Sequence, residues 1–359
     1  MRDARITRLR AELKTANLDA ILVSSRANTR YLTGFSGSSS LLVVSQSEVV
    51  LITDFRYRTQ ARTEADDVAR VEIEGTSLWS RLWTVLPKLE GVGTVGFESQ
   101  HMLHLDYQRL LETGARWHWR ATTSVIEALR QQKDDGEIAN IKAAVAIAER
   151  ALTLTVPEIA AGLTELEVGA RLERRLRELG SEAHPFETIV ASGERAALPH
   201  ARCSQRELKP GDLLIIDFGA TSGGYCSDIT RTFVVGRADG SRREGYDIVR
   251  EANETASGAV RAGMRGRDAD ALARDYIERR GLGAEFGHSL GHGIGLEVHE
   301  APRLAKAVDL PLPVGAVVTI EPGIYRDGWG GVRIEDDVLL TAEGAVLLTS
   351  FTRELQELV

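Results

Sequence analysis

The chain has 359 residues, of which 43% are hydrophobic and 27% are charged, and its formal net charge is −8. This length accommodates two domains, and the composition is that of an ordinary soluble globular protein. The acidic balance and the scattered Lys and Arg exclude an extended basic face for nucleic acid. We therefore expect no nucleic-acid partner. We also expect no membrane partner, because no apolar run approaches the roughly 20 residues of a membrane span.

The N-terminal segment and the cysteines indicate the cellular compartment. The first ten residues are charged throughout, unlike a secretory signal. The two cysteines, Cys203 and Cys226, provide no disulfide framework and are too few for a zinc ribbon. We therefore expect a cytoplasmic protein.

The first 130 residues alternate strand and helix periodicities, which predicts a mixed sheet covered by helices. The predicted strands are 18–24, 39–45, 48–53, 71–74 and 94–97, and the predicted helices are 5–15, 55–64, 78–89 and 105–112. This part contains no cluster of metal-ligand residues. The polar stretch 130–136 indicates a domain boundary, with a helix N-cap at Asp134 or Asp135.

After this boundary, two rounds of long helices and strands follow. The predicted helices are 138–152, 165–179, 243–262 and 267–280, and strands are predicted over 187–191, 213–220 and 226–235. A shift of 101 residues places Ala161-Gly162-Leu163 on Ala262-Gly263-Met264 and Gly180 on Gly281. Asp217 then falls on position 318, three residues before Glu321. We interpret this as two similar halves that face each other across a shared site.

The stretch from Leu213 to Arg231 contains the first candidate metal ligands. An apolar run ends on Asp217, and Asp228 precedes a second β-rich run, with a Thr-Ser-Gly-Gly turn between them. If Ser222 and Gly223 form the turn, Asp217 lies opposite Asp228, with Cβ atoms about 4.5–5.5 Å apart. Two carboxylates this close need a cation between them, unless one is protonated. The alternative is a surface hairpin with two solvated acids.

Two later strands carry further acids. Glu321 lies at the end of a strand that begins at 317, where a Pro-Gly turn follows it. In a strand over 331–340, alternation places Arg333, Glu335 and Asp337 on one face. A single Glu in a strand is usually exposed, but two such strands beside the Asp hairpin favour a common site.

Three histidines, His288, His292 and His299, lie within twelve residues of a glycine-rich segment. The spacing of the first two is that of the helical His-x-x-x-His of metalloproteases. Four interspersed glycines argue against a helix and favour a strand or loop with room for a ligand close to the backbone. On this interpretation His292 supplies an imidazole to a metal, and His288 and His299 are free for protons or substrate.

Asp217, Asp228, His292, Glu321 and Glu335, in this order and context, resemble the ligand set of the pita-bread metallopeptidases. That group includes methionine aminopeptidase, aminopeptidase P and prolidase. The matching strings are IIDFGATSGGYCSDITRTF, GHSLGHGIGLEVHE, TIEPGIY and GGVRIEDD, and the resemblance extends from about residue 135 to the C-terminus. The strings RYLTGFSGSSS and ITDFRY resemble the creatinase-type N-terminal domain. Methionine aminopeptidases lack that domain, so the proline-directed branch is favoured.

The resemblance implies an α/β (α+β) fold. A creatinase-like N-terminal domain, 1–130, is followed by a pita-bread catalytic domain, 131–359, with pseudo-twofold αβ repeats. It also implies two divalent metal ions, with Asp228 and Glu335 as bridges, Asp217 on one ion, and His292 and Glu321 on the other. The oxygen-rich ligand set favours Mn²⁺, with Co²⁺ or Zn²⁺ as alternatives.

The resemblance implies catalytic roles for His288, His299 and Glu321. The two histidines orient the substrate or stabilise the oxyanion, and Glu321 carries a proton to the leaving amine. His200, His299 and Phe186 are the implied contacts of a substrate proline. Arg333 orients the ligand carboxylates, binds a peptide carboxylate or forms a structural salt bridge.

The resulting prediction is a metal-dependent Xaa-Pro aminopeptidase. It cleaves small peptides between the first residue and a following proline by means of a metal-activated hydroxide. One alternative is a Xaa-Pro dipeptidase (prolidase), which is restricted to dipeptides. Two others are a metal-free, creatinase-like amidinohydrolase and a non-enzymatic binding module with the pita-bread fold, neither of which has a reason to retain all five ligands. We also expect a homodimer or a higher homo-oligomer.

Overall fold

The structure is a computed structural model and describes residues 2–358. The chain divides into two compact units, one that ends at Arg130 and one that begins at Gln131. Within residues 2–358, none of the helices combines the length and the apolar character that crossing a bilayer requires.

The first unit is built on one six-stranded mixed sheet in the order β4-β3-β2-β1-β5-β6. Its strands are β1 (Ala20–Val23), β2 (Ser40–Ser45), β3 (Val49–Asp54), β4 (Arg70–Glu74), β5 (Thr94–Glu98) and β6 (His118–Thr122). Its helices are α1 (Arg2–Thr15), α2 (Arg26–Thr33), α3 (Arg58–Ala65), α4 (Leu78–Val85), α5 (His104–Glu112) and α6 (Val125–Arg130). The predicted mixed sheet with covering helices is confirmed.

Sequence periodicity missed α2, α6 and β6 in this unit. The α2 sequence contains Asn and Thr, which have modest helix propensity, so its stability comes from its ends and its packing. The Ser25 side chain accepts the Asn28 N–H at the N-terminus, and Gly34, with φ of +83°, ends the helix. With eight residues, α2 spans only about two helical turns, too few for periodicity alone to identify a helix.

The second unit contains four long helices and two principal sheets, β19-β11-β8-β7 and β13-β12-β14-β17-β18. The helices are α7 (Asp135–Thr155), α8 (Glu165–Glu178), α9 (Gly240–Ala259) and α10 (Gly266–Arg279). The strands that precede residue 236 are β7 (Ile189–Ser192), β8 (Leu213–Phe218), β9 (Thr221–Ser222), β10 (Tyr225–Cys226) and β11 (Ile229–Val235). The later strands are β12 (Gly291–Gly293), β13 (Glu300–Leu304), β14 (Val317–Ile320), β15 (Gly323–Arg326), β16 (Gly330–Arg333), β17 (Asp336–Leu340), β18 (Ala345–Leu347) and β19 (Glu357–Leu358).

The helix α7 begins with a capping box at Asp134. The Asp134 side chain accepts the Glu137 N–H at 3.0 Å, and the Glu137 carboxylate accepts the Asp134 N–H at 3.0 Å. The first of the two N-cap positions predicted from the sequence is therefore the correct one. The apolar face of the helix then buries Ile141, Val145 and Leu152 in one of the hydrophobic cores of this unit.

The internal repeat is present in the hydrogen bonding of the second unit. Gly162 N–H donates to the Leu208 carbonyl at 2.9 Å, and Gly263 N–H donates to the Leu312 carbonyl at 2.7 Å. The shift is 101 residues for the glycines and 104 for their partners, so the second half contains three additional residues before its central strand. With that correction Asp217 corresponds to Glu321 itself.

The register predicted for the Asp hairpin is wrong by one turn position. Ser222 pairs with Tyr225, so the two-residue turn is Gly223-Gly224, with φ of +56° and +78°. A type I′ hairpin turn needs positive φ at both central positions, which glycine adopts without the steric cost that Ser222 would incur. Asp217 therefore lies opposite Thr230 rather than Asp228. The two aspartates are diagonal neighbours on the same face of the hairpin.

The predicted single strand over 331–340 is also wrong. It divides into β16, which pairs with β15, and β17, which pairs with β14. Glu335 lies in the break between them and donates its N–H to the Thr230 carbonyl at 3.1 Å. The break turns Asp337 away from Arg333 and Glu335, and its carboxylate accepts the Asp228 N–H at 3.1 Å.

Candidate functional site

The side chains predicted to form the site converge on one cavity of about 480 Å³ in the second unit. Its wall is built from both halves of the repeat. It includes every residue singled out from the sequence: Phe186, His200, Asp217, Asp228, His288, His292, His299, Glu321, Arg333 and Glu335. The glycine-rich segment is extended as predicted, with His292 in the short strand β12.

Three buried residues, Asp228, His292 and Glu335, form the centre of the site. Each offers one ligand atom, and these three atoms lie within 4.8 Å of one another. His292 Nδ1 lies 3.1 Å from the Gly293 carbonyl, which fixes Nδ1 as the protonated nitrogen and leaves Nε2 facing the acids. The Thr230 hydroxyl donates to Glu335 Oε2 at 2.6 Å and orients that carboxylate.

Glu321 and Asp217 flank this centre. Glu321 Oε1 lies 3.5 Å from His292 Nε2 and accepts a hydrogen bond from the Thr319 hydroxyl at 3.3 Å. Asp217 Oδ2 accepts a hydrogen bond from Arg333 Nη2 at 2.5 Å. All five predicted ligands therefore face the same space, although only three form the compact cluster.

The site concentrates negative charge in a buried position. Burial and the Glu335 and Asp217 carboxylates raise the pKa of Asp228 well above its usual range, and burial and Glu321 do the same for the pKa of Glu335. Burial, together with the Asp217 carboxylate, raises the pKa of Glu321 to about 8.

The site also contains oxygen atoms that lack hydrogen bonds. Asp217 Oδ1 and Asp228 Oδ1 are both buried and have no hydrogen-bond donor within the described residues. Buried acids of this kind require protons or cations. Four carboxylates and one imidazole form a donor set that suits a hard divalent cation, so these residues fit a metal site.

Arg333 is buried, and most of its N–H groups are hydrogen-bonded within the protein. Its Nε donates to the Thr230 hydroxyl at 3.2 Å, and Nη1 donates to the Tyr325 hydroxyl at 2.7 Å and to the Pro199 carbonyl at 3.2 Å. With the bond to Asp217, four of its five N–H groups have partners. This geometry suits a residue that orients carboxylates, and it leaves little capacity for a peptide carboxylate.

His288 and His299 lie on the cavity wall, where burial lowers the pKa of both imidazoles. Burial, reinforced by the Arg333 cation, lowers the pKa of His288 to about 4. Its Nδ1 lies 2.9 Å from the Ser289 carbonyl, so Nε2 accepts the hydrogen bond from the Tyr325 hydroxyl at 3.0 Å. Burial and the Arg303 cation lower the pKa of His299. The His299 ring lies edge-on to His292, with a centroid separation of 4.4 Å.

Sequence reasoning missed several residues that contact the predicted set. Thr230 and Thr319 lie two positions from Asp228 and Glu321, so strand alternation could have placed them on the same face. Tyr325 had no such signal, because the pairing of β15 with β16 brings it beside Arg333. Arg303, which lines the cavity from β13, was also missed.

Residues 139–342 match the model of metallopeptidase family M24, and residues 5–132 match that of the creatinase/prolidase N-terminal domain. The chain belongs to metallopeptidase family M24. The predicted resemblance and the predicted fold class, a creatinase-type N-terminal domain followed by a pita-bread domain, are confirmed. Together with the cluster of Asp228, His292 and Glu335, M24 membership identifies the chain as a hydrolase of a metallopeptidase family.

Several relatives of this M24 chain have names that describe proline-directed activity. It is 37% identical over 341 residues to a Xaa-Pro dipeptidase of Pyrococcus furiosus, an alignment that covers 94% of this chain and 95% of the relative. A Xaa-Pro dipeptidase from Bacillus anthracis has a TM-score of 0.96 and 40% identity, with 100% of both chains covered. An X-Pro aminopeptidase from Thermotoga maritima has a TM-score of 0.91 and 40% identity, with 98% and 99% covered.

Proposed function

We propose that this M24 metallopeptidase hydrolyses the bond between an N-terminal residue and a following proline. The observation that carries the proposal is the convergence of five ligand-type side chains and three further histidines on one cavity. The relatives' names support proline as the second residue, and they include both dipeptidases and an aminopeptidase.

The five ligand-type side chains would hold two divalent metal ions. Asp228 and Glu335, at the centre of the cluster, would be shared by the two ions. Asp217 would complete one position, and His292 and Glu321 would complete the other. The oxygen-rich donor set favours Mn²⁺ over ions that prefer thiolates, with Co²⁺ and Zn²⁺ as alternatives. Bound ions of this kind supply an acidified water and polarise the scissile carbonyl.

The side chains around this centre would bind the peptide and move its protons. Within residues 2–358, the ring nitrogens of His200 and His299 have no hydrogen-bond partner, so both can contact a substrate. His288 is held by Ser289 and Tyr325 and would shape the wall beside the scissile bond. Glu321 would deliver the proton to the leaving proline nitrogen, because its carboxylate lines the cavity beside His292 and is within reach of a bound peptide.

The proline ring would lie against Phe186, His200 and His299. A pyrrolidine nitrogen in a peptide bond carries no N–H, so an apolar wall with imidazole edges leaves no donor unsatisfied. Cleavage would release a single residue.

Arg303 favours a second candidate, the Xaa-Pro dipeptidase. This side chain lines the cavity, and within the described residues it has no acidic partner in an ion pair. The proline of a dipeptide ends in a carboxylate, which an unpaired guanidinium binds well through charge-assisted hydrogen bonds. In a longer peptide, the same position carries a neutral amide.

A panel of three substrates separates the two candidates. The panel consists of an Xaa-Pro dipeptide, the same dipeptide with an amidated C-terminus, and an Xaa-Pro tripeptide, each with Mn²⁺-supplemented enzyme. An aminopeptidase cleaves all three at similar rates, whereas a dipeptidase prefers the free dipeptide. Arg303→Met should raise KM for the free dipeptide and leave KM for its amide unchanged. Failure to cleave any of the three would contradict the proposed function.

A further inference from the structure

We propose that the buried Asp270–Arg274 pair of α10 is a positioning device for His288. This inference rests on the proposed function, since it assigns the pair's role through a histidine of that site. Neither residue lines the cavity, so both would act through the backbone of the segment 286–290, which connects α10 to β12.

The pair is a well-formed buried ion pair. Asp270 and Arg274 are four residues apart on the same helix, and their side chains are 1% and 9% exposed. Arg274 Nε donates to Asp270 Oδ2 at 2.6 Å, and Nη2 donates to Oδ1 at 2.9 Å. This bidentate geometry fixes the direction of every remaining N–H and lone pair.

The remaining groups of the pair hold the His288 segment at three points. Arg274 Nη1 donates to the Phe286 carbonyl at 2.9 Å, and Nη2 donates to the His288 carbonyl at 2.6 Å. Asp270 Oδ1 accepts the Leu290 N–H at 3.0 Å. The guanidinium carbon also lies 4.1 Å from the Phe286 ring centroid. Residues 286–290 have no regular secondary structure, so these contacts replace a hydrogen-bond ladder.

A structural role alone does not require charged residues here. Removing two charges from water is costly, and apolar side chains of similar volume often maintain a fold as well as a buried ion pair. Unlike an apolar pair, Asp270 and Arg274 direct hydrogen bonds to the backbone on both sides of His288, where the Glu321 N–H adds one bond to the Leu290 carbonyl at 2.8 Å. The Phe286 ring, which the guanidinium covers, lies edge-on to the His288 ring with a centroid separation of 5.1 Å.

The first half of the repeat contains a similar arrangement on the corresponding helix. Glu165 in α8 is fully buried, and its carboxylate accepts the Ser192 N–H at 2.8 Å and the Ser204 N–H at 3.1 Å. The loop between these serines carries His200, and Arg195 Nε pairs with Glu165 at 3.1 Å. In both halves, a buried acid and an arginine hold the segment that delivers a histidine to the cavity.

The test replaces both partners at once, so that no unpaired charge is left in the interior. The double variant Asp270→Leu/Arg274→Met should fold and bind Mn²⁺ as the wild type does. Its kcat should fall at least tenfold, and KM should change less than kcat. In a His288→Ala background, the same two substitutions should cause no further loss, because the pair acts through that residue. The control Arg174→Met/Glu178→Leu removes an exposed pair of the same i,i+4 spacing in α8 and should change neither constant.

Amide hydrogen exchange provides a readout that does not depend on activity. The Leu290 N–H should exchange at least tenfold faster in the double variant than in the control. An unchanged kcat in a folded double variant, or an equal loss in the His288→Ala background, would overturn the proposal. If the wild type cleaves no Xaa-Pro peptide, the proposed function fails, and unchanged Leu290 exchange would separately show that the pair does not hold this segment.

Discussion

Arg333 Nη2 lies 2.5 Å from Asp217 Oδ2, and both side chains are buried at the edge of the acidic cluster. Through Nε the same guanidinium contacts Thr230, which donates in turn to Glu335. One cation thus contacts one predicted ligand directly and a second through a hydroxyl group. It offsets part of the charge that the five predicted ligands bring together.

Replacing Arg333 tests this relationship. Arg333→Met leaves Asp217 buried without its partner, a change that costs about 3–5 kcal/mol in comparable buried pairs. We expect a loss in free energy of unfolding of about this size for metal-free protein, measured by urea denaturation. The matched control Arg174→Met, at a site where the side chain is 79% exposed, should stay within about 0.5 kcal/mol of wild type. Equal urea midpoints for the two variants would show that Arg333 does not stabilise the buried Asp217 carboxylate.

Asp228→Asn tests the shared position in the proposed metal site. The substitution keeps the shape of the side chain but removes its charge, so the affinity for divalent ions should fall and kcat/KM should fall by about two orders of magnitude or more. Metal content by elemental analysis and kcat/KM are the two measurements. Asp268→Asn, at a site where the side chain is 57% exposed, is the comparison and should retain its metal. Full activity in Asp228→Asn would exclude a bridging role.

The pH dependence of stability follows from the acids of the cluster. The pKa of Glu321 is raised to about 8 by burial and Asp217, from an unfolded value of about 4.5. Its contribution to stability is therefore complete below pH 4.5 and is lost as the pH rises through 8. Metal-free protein should be less stable at pH 9 than at pH 6 in urea, and Glu321→Gln should reduce the difference. A metal-free protein that gains stability over this range would contradict the assignment.

The buried histidines have the opposite effect to Glu321, because they make the metal-free protein less stable at low pH. Burial lowers the pKa of His288 and of His292 to about 4, so the stability that each contributes is complete above its unfolded value of about 6.5. This contribution is lost as the pH falls toward 4. His288→Gln should flatten the decrease in unfolding free energy of metal-free protein between pH 6 and pH 4. An identical pH profile in variant and wild type would show that His288 is not a neutral buried group.

His200→Ala tests the proline pocket. Loss of the imidazole should lower the preference for Pro over Ala in the second position, with little effect on metal content. A fitted pocket discriminates a missing part of a ring by about 1–3 kcal/mol, which is a factor of roughly 10 to 200 in kcat/KM. The ratio of kcat/KM for Met-Pro and Met-Ala measures this preference. A ratio unchanged from wild type would show that His200 does not contribute to the proline pocket.

Strand and glycine signals in the sequence predicted much of the site. The apolar run before Asp217 and the glycines around His292 placed these residues in extended segments, as the structure has them. The hairpin register was wrong although the Gly-Gly pair at 223–224 is itself a type I′ signal. A two-residue change in register preserves the face, so the convergence of Asp217 and Asp228 survived the error.

Other features depend on contacts between distant segments and have no local signal. Glu335 lies in a break between two strands because β16 pairs with β15 and β17 pairs with β14. Tyr325 reaches His288 through the same pairing. The Asp270–Arg274 pair reads in the sequence as an ordinary i,i+4 surface pair, and only the packing of α10 buries it.

Metal-dependent cleavage of Xaa-Pro bonds is tested by one comparison of rates. Purified enzyme is assayed on Met-Pro and Met-Ala after removal of metal by a chelator and again after addition of Mn²⁺. We expect negligible hydrolysis without metal and, with Mn²⁺, a kcat/KM for Met-Pro that is about 10-fold or more above that for Met-Ala. Equal rates on the two dipeptides with Mn²⁺, or undiminished hydrolysis after metal removal, would contradict it.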